Sequence, residues 1–579
     1  MQRRITVWYA ALIFVSLVFV VRLFYLQVIR HDYYAKAALS GQLKEYELEP
    51  ERGLIMAHAG EDTLPIVLNE IKYTLFADPK FITEPEKVAG ELQGIIGGDK
   101  SFYESQMRQD SRYAILAKKL NDDQKQKIEA LKEKGIGLRE QPYRTYPQGG
   151  LAAQVLGFVN DEGVGSYGIE EALHEELKGK PGQLKAITDA AGVPLVSNDD
   201  NIIKPAEKGK KVLMTLDVSI QKQLEDILKT GLENAKSTSG SALIMDPNTG
   251  AIKAMANFPS YNPAEFFKVE DAGLFTNAAV SAPLEVGSIM KVLTTAAALN
   301  QGVVNRNTSY YDPSRFSIDG YDITNIEEDG GAGTRSVADI LQLSLNTGAT
   351  WLLMQMGGGE INDKARQAWY DYMKNHYRLG QRTGIEQGYE ADGLIPDPKE
   401  GFGLNLQYAN TSFGQGMSAT ITQMAAALSS VVNGGIYYQP RLVESLIDSN
   451  GQTQEMSPKV LNDKVVTPEV SQTMVELMEY VVEKNHRTYG LSSLRPGYAI
   501  GGKTGTAEIS KPEGGYYEDR FNGTFMGFVG GDKPQYVIAV RVNEPKIPGY
   551  AGSKAAGPIF SNLATMLIDN VGVTPKTGN

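Results

Sequence analysis

The sequence predicts an α/β protein whose main domain is a largely antiparallel sheet flanked by helices, behind an N-terminal membrane-spanning helix. Three observations carry this. An apolar run opens the chain at Ile5, strand-like segments stand at both ends of the region after residue 209, and helical segments fill the space between them. At 579 residues the chain exceeds one hydrophobic core, so two to four domains are expected. A hydrophobic content of 42% with 22% charged residues describes a folded protein. The net charge of −12 argues against nucleic acid as the main partner. With no cysteine there is neither a disulfide framework nor a thiolate metal site. The five histidines are scattered and none accompanies a Gly-x-Ser-x-Gly elbow, so neither a zinc site nor a Ser-His-Asp triad is indicated.

Ile5 to Val21 is uncharged and resumes after Arg22 through Leu23 to Ile29, long enough to span a bilayer. Ala35-Lys36-Ala37 resembles a signal-peptidase site but lies too far beyond the apolar core, which favours an uncleaved anchor. Arg3 and Arg4 favour a cytoplasmic N-terminus, leaving everything after residue 30 outside the cytoplasm. Arg22 reads as a residue that snorkels to the interface.

Residues 31–208 form a mixed, charge-rich segment without long apolar strands. Within it, Asn121 to Gly135 has an Asn cap, an acidic first turn and a terminal glycine, and reads as an exposed helix. The stretch from Asp199-Asp200 to Lys211 reads as a linker.

Regular structure then sets in. Val212 to Leu216 reads as a strand and Ser219 to Ala235 as an amphipathic helix. Ser241–Met245 and Ala251–Ala256 flank a turn at Pro247-Asn248-Thr249-Gly250 and read as a hairpin. Phe525–Val529 and Tyr536–Val542 read as a second strand pair, with Ala555–Ile568 as a closing helix.

Ser288 and Lys291 sit at the opening of an Ala- and Leu-rich run that ends at Gly302, which predicts a helix beginning near Ser288. At that place the serine lies in the positive field of the helix dipole, and Lys291 projects from the same face. A serine hydroxyl needs an adjacent base, and a lysine serves if an uncharged pocket favours its neutral form. An ordinary helix-capping serine beside a surface lysine gives the same pattern. Ser344-Leu345-Asn346 falls at the end of a predicted helix and could face a cleft. Lys503-Thr504-Gly505-Thr506 precedes a short strand-like Ala507-Glu508-Ile509. Gly497 to Thr504 also matches the phosphate-cradling Gly-x4-Gly-Lys-Thr pattern, but the residues after it cannot open the helix that such a loop requires.

In the order Ser-x-x-Lys, Ser-x-Asn, Lys-Thr-Gly, these segments form the motif set of penicillin-recognising acyltransferases. The chain resembles a class B penicillin-binding protein, of the cell-division type more than the elongation type, over nearly its whole length. Arg52-Gly53, Tyr146-Pro147, Gly168-Ile169-Glu170, Met245 to Gly250, Phe413 to Gly416 and Asn433-Gly-Gly435 carry the likeness beyond the motifs. It departs from the family where Val286-Gly287-Ser288-Ile289-Met290-Lys291 replaces Pro-Gly-Ser-Thr-Phe-Lys, at Ala57-His58-Ala59-Gly60 and at Asn277-Ala278-Ala279. No reacting group is lost; what these departures leave open is pocket shape and β-lactam affinity.

The resemblance implies a penicillin-binding transpeptidase fold with an N-terminal transmembrane helix and an elongated α+β pedestal. Its plan would be an anchor at 1–30, a pedestal (dimerisation-like) domain at 31–208, a transpeptidase domain at 209–572 and a tail at 573–579. It implies that Ser288 attacks the penultimate D-Ala carbonyl of a peptidoglycan stem peptide, with a neutral Lys291 as base. Ser344 would relay the proton, Asn346 would fix Lys291 and the substrate amide, and Lys503 would supply positive potential. Thr504 and Thr506, flanking Gly505, would bind the terminal carboxylate, and the N–H groups of Ser288 and Thr506 would form the oxyanion hole. No metal or other cofactor is required. Residues 31–208 carry no Glu-Asp-x-x-Phe glycosyltransferase signature. The implied partners are therefore a polytopic membrane glycosyltransferase and other divisome or elongasome proteins, with β-lactams as inhibitors and the plasma membrane as location. The competing expectations are a membrane-anchored β-lactam sensor or hydrolase and a catalytically idle divisome scaffold.

Overall fold

The structure, a computed structural model, describes residues 2–31, 33–34, 43–187, 202–325, 331–488, 495–511 and 514–577. The Ala35-Lys36-Ala37 site and the start of the expected linker, Asp199-Asp200, lie outside the described residues. The chain divides into two compact units, Met1–Gly53 with Lys178–Lys210, and Leu54–Leu177 with Lys211–Asn579.

In the first unit, helix α1 (Gln2–Phe24) continues through a π-helical turn, Tyr25–Ile29. The span Arg3–Ile29 has 27 residues, a mean hydropathy of 2.4 and none of its most apolar window buried. A mainly apolar helix left exposed among the described residues is suited to lipid rather than water, and its length, about 40 Å, exceeds a hydrocarbon core of about 30 Å. The Arg22 guanidinium lies 5.5 Å from the Tyr25 ring centre, and Arg30 Nε donates to Tyr25 Oη at 3.0 Å. These cations thus have aromatic partners at the helix exit. Leu43–Leu48, Gly182–Ile187 and Ile202–Lys204 make a three-stranded antiparallel sheet. Residues 202–204 are therefore strand, where composition suggested linker. Gly53 has a clear reason to be glycine: a Cβ there would lie 1.8 Å from the Lys210 carbonyl oxygen, so two passages of the chain could not meet.

Among the described residues the second unit holds two large sheets and four two-stranded ones. One has seven strands in the order Thr453–Glu455, Val443–Ile447, Lys211–Asp217, Ile55–Ala59, Asp62–Ala77, Ala114–Leu120, with Ile136–Thr145 also paired to Asp62–Ala77. Only the Lys211–Asp217 pair with Ile55–Ala59 is parallel, with Val212 opposite Ile55. The 16-residue strand Asp62–Ala77 stands in a region read as lacking long apolar strands. Polar residues such as Asn69, Glu70 and Lys72 interrupt its apolar positions, so it never appears as an apolar run.

The other large sheet has five strands. Its strands are β1 (Ser239–Met245), β2 (Ile252–Phe258), β3 (Ala499–Ser510), β4 (Tyr516–Gly530) and β5 (Pro534–Asn543), in the antiparallel order β2-β1-β5-β4-β3. The helices around it are α2 (Val218–Asn234), α3 (Met290–Asn300), α4 (Val337–Gln342), α5 (Asn346–Met356), α6 (Ile421–Val432), α7 (Pro468–Asn485) and α8 (Gly557–Met566). Alternation along the strands sends side chains to two helical layers. Phe525 stacks on Phe560 of α8 at 4.1 Å, whereas a Cβ at Gly501 would strike Phe528 and Met478 of α7. One buried cluster joins both sheets to the helices, from Ile55 to Val573. Helix α3 is buried on every side from Met290 to Ala298, which explains its run of small and aliphatic residues. Edge strand β3 therefore runs beside the opening of a helix fixed within the core.

Candidate active site

Ser288 lies in a 3-10 turn, Gly287–Ile289, that leads directly into α3. Gly287 has φ +64°, and a Cβ there would meet the Thr506 carbonyl oxygen at 2.6 Å. Glycine thus allows the nucleophile loop to lie against the backbone of β3 in a conformation that a side chain would strain. Gly505 is the counterpart, since its Cβ would meet the Val286 carbonyl at 2.7 Å. From the other side, Gly287 N donates to the Gly414 carbonyl at 3.0 Å, so the Phe413-Gly-Gln-Gly416 stretch backs the same loop.

Lys291 Nζ lies 2.9 Å from Ser288 Oγ, 2.8 Å from Asn346 Oδ1 and 3.2 Å from Ser344 Oγ, and also meets the Ser344 carbonyl. The Asn346 amide is oriented by its other end, because Nδ2 donates to the Thr324 carbonyl at 3.1 Å. Oδ1 therefore faces the lysine. Ser344 has φ +59°, uncommon for a residue with a side chain, between the end of α4 and the start of α5. That conformation turns both its carbonyl and its hydroxyl to Lys291. Ser344 Oγ is also 2.9 Å from Lys503 Nζ, so one hydroxyl bridges the two lysines. Both lysines are buried, Lys291 at 0% exposure and Lys503 at 1%.

Lys503 and Gly505 are buried on one side of β3, whereas Thr504 and Thr506 are half-buried on the other. Lys503 Nζ donates to the Thr504 carbonyl at 3.0 Å, and Thr506 Oγ1 accepts from Gly552 N at 3.1 Å. The Gly-x4-Gly-Lys-Thr match, already set aside on sequence, meets the same objection in the structure. Its lysine and threonine sit inside strand β3, with no helix opening after them to hold phosphates.

Ser288, Lys291, Ser344, Asn346 and Lys503 thus form one hydrogen-bonded group, with Thr504 to Thr506 along its edge. Residues 240–565 match the family model of the penicillin binding protein transpeptidase domain, and residues 47–214 match the penicillin-binding protein dimerisation domain. The chain belongs to the penicillin-binding protein transpeptidase family. Among similar proteins, stage V sporulation protein D of Bacillus subtilis is 29% identical over 97% of this chain and 85% of its own length. Penicillin-binding protein PbpB of Mycolicibacterium smegmatis is 30% identical over 76% of this chain and 67% of its own. Peptidoglycan D,D-transpeptidase FtsI of Escherichia coli K12 is 26% identical over 96% and 89%. Penicillin binding protein 2X from Streptococcus thermophilus shares the fold at a TM-score of 0.71 and 24% identity, over 92% of this chain and 83% of that one.

Some residues of this penicillin-binding protein site carry no motif signal. Glu285, three residues before the nucleophile, accepts from Tyr516 Oη at 2.9 Å and from Gly416 N at 3.1 Å, both at the same oxygen. Burial holds its carboxyl above the usual range, against those two hydrogen bonds, and the nearby Glu508 adds to the rise. Burial likewise raises the Tyr516 phenol, with Glu285 contributing. Asp312, Asn325 and Thr347 also join the Ser-x-Asn segment through hydrogen bonds. Only the fold reveals them, because their partners come from separate strands and helices.

Proposed function

We propose that this chain is a serine D,D-transpeptidase that cross-links peptidoglycan stem peptides through an acyl-enzyme on Ser288. The observation that carries this reading is the set of contacts around Lys291 Nζ. Two of its partners, Asn346 Oδ1 and the Ser344 carbonyl, can only accept hydrogen bonds. A neutral amine has two N–H donors and one lone pair, so when both donors are used the lone pair is left for the Ser288 hydroxyl. Ser288 Oγ then attacks the penultimate D-Ala carbonyl while its proton passes to Lys291. Collapse of the tetrahedral adduct breaks the C–N bond. The departing D-Ala amine takes a proton by way of Ser344 Oγ, which lies between Lys291 and Lys503. The amine of a neighbouring stem peptide attacks the ester, forming the new amide and restoring Ser288. Ser288 and Thr506 backbone N–H groups would hold the oxyanion, each donor worth about 3 kcal/mol. The close approach of Gly287 to Thr506 supports that pairing. Thr504 and Thr506 would bind the terminal carboxylate beside Lys503. The names of the relatives, among them peptidoglycan D,D-transpeptidase FtsI, support the same substrate.

The apolar span Arg3–Ile29 supports an anchor at 1–30, and the matched ranges 47–214 and 240–565 support a pedestal at 31–208 and a transpeptidase domain at 209–572, with a tail at 573–579. The apolar helix acts as a single-pass plasma-membrane anchor, with the N-terminus cytoplasmic and the catalytic domain outside. The pedestal and anchor contact a polytopic glycosyltransferase of the division or elongation machinery. The test is full-length protein in detergent, given a synthetic acyl-D-Ala-D-Ala donor and an amine acceptor. D-Ala release with formation of the aminolysis product is expected, and both are lost in Ser288→Ala and Lys291→Ala. Hydrolysis alone, or no turnover, would contradict transpeptidation.

A further inference from the structure

The Ser-x-Asn segment is gripped by groups outside all three motifs. Helix α5 starts at Asn346, and its own cap residue, Leu345, offers no side-chain acceptor. The first-turn N–H groups of a helix need partners. Here one comes from another element: Thr347 N donates to Asn325 Oδ1 at 3.1 Å. Asn325 follows the hairpin Arg315–Ile318 and Tyr321–Thr324, whose last carbonyl, that of Thr324, orients the Asn346 amide. Asn325 Nδ2 in turn donates to Thr347 Oγ1 at 2.6 Å and to Asp312 Oδ2 at 3.1 Å.

Asp312 closes the set. Its carboxylate is 0% exposed and accepts from Thr347 Oγ1 at 2.8 Å, Ser314 N at 2.7 Å and Tyr310 Oη at 3.2 Å, besides Asn325. Thr347 is 0% exposed as well. A buried carboxylate is costly unless it is well hydrogen-bonded, and a fully satisfied buried network is rigid. This one is bonded on both sides to the residue adjoining Asn346. Rotating the Asn346 amide would break the Thr324 contact, and moving the first turn of α5 would break those of Asn325 and Asp312.

We propose that Asp312, Asn325 and Thr347 are positioning residues for acyl transfer, holding Asn346 Oδ1 on Lys291 Nζ so that the amine faces Ser288 Oγ. The proposal rests on the roles given above to Lys291 and Asn346. None of the three touches the reacting atoms. Their effect is on the geometry of the base, and a displacement of about 1 Å there slows the reaction roughly 100-fold.

The test uses the full chain in detergent and a chromogenic β-lactam, separating non-covalent Kd from the acylation rate constant across pH. Thr347→Val keeps the shape and removes the hydroxyl, and Thr347→Ser restores it. Asn325→Ala, at a half-buried position, provides a second variant should Thr347→Val fail to fold. Expected is a roughly 10- to 100-fold slower acylation in Thr347→Val and Asn325→Ala, with Kd unchanged and the midpoint of the pH–rate profile displaced. Thr347→Ser should recover most of the rate. Folded variants with wild-type rate and pH profile would overturn the proposal, as would a loss that merely tracks the folded fraction. Asn346→Ala, run alongside, separates the two levels. If it acylates normally the site reading itself fails, and if it alone is slow only the positioning network fails.

Discussion

At the residue scale, Glu285 shows how the field beside the nucleophile is set. Its carboxyl is raised above the ordinary value of 4.5, first by burial. The folded protein therefore keeps this proton at a pH where the unfolded chain has released it. The resulting stability is fully present below the unfolded-chain value and is lost as pH rises through the folded-state value. Glu285→Gln, which keeps an acceptor for Tyr516 and Gly416 without the charge, should flatten that part of the curve. Thermal midpoints from acid to neutral pH are expected to fall less steeply in the variant, and parallel curves would contradict this. Ser288, Lys291, Ser344, Asn346 and Lys503 were legible as candidates because three short patterns occur in one order. Glu285, Asp312 and Asn325 were not legible, since a single carboxylate or amide in sequence gives no sign of what will bury it.

At the scale of elements, the site is a junction between the turn that opens α3 and edge strand β3. Glycines on both sides make that junction possible. Gly287→Ala combines a left-handed φ of +64° with a contact at 2.6 Å to the Thr506 carbonyl, and both arise from the backbone itself. The conformation alone costs about 1–2 kcal/mol, and β3 must also retreat from Ser288. Acylation by a β-lactam should slow at least about tenfold, the equivalent of 1.4 kcal/mol, while Gly302→Ala, where a Cβ meets nothing, should acylate normally. Equal rates in the two variants would contradict the account. The hairpin of β1 and β2, the helix after Ser288 and the strands at β4 and β5 were readable from periodicity and turn residues. The extent of β3 was not, because its glycines hide the alternation across Gly501-Gly502-Lys503. The strand Lys211–Asp217 could be read, but its parallel pairing with Ile55–Ala59 could not, as pairing between distant segments leaves no local pattern.

At the scale of the whole molecule, an apolar helix stands ahead of a large folded catalytic unit. The absence of native cysteine makes the proposed topology directly measurable. A membrane-impermeant thiol reagent should label Phe402→Cys, at a position 97% exposed, and spare Gln2→Cys in intact cells. The reverse pattern would place the catalytic unit in the cytoplasm. Family membership and the lysine-centred hydrogen bonds support the proposal that Ser288 carries an acyl group between donor and acceptor. Mass spectrometry of the full-length protein after incubation with a penicillin tests it most directly. The account predicts an adduct mapped to Ser288 that persists for hours and is absent from Ser288→Ala. An adduct on another residue, one lost within minutes, or none at all would contradict it.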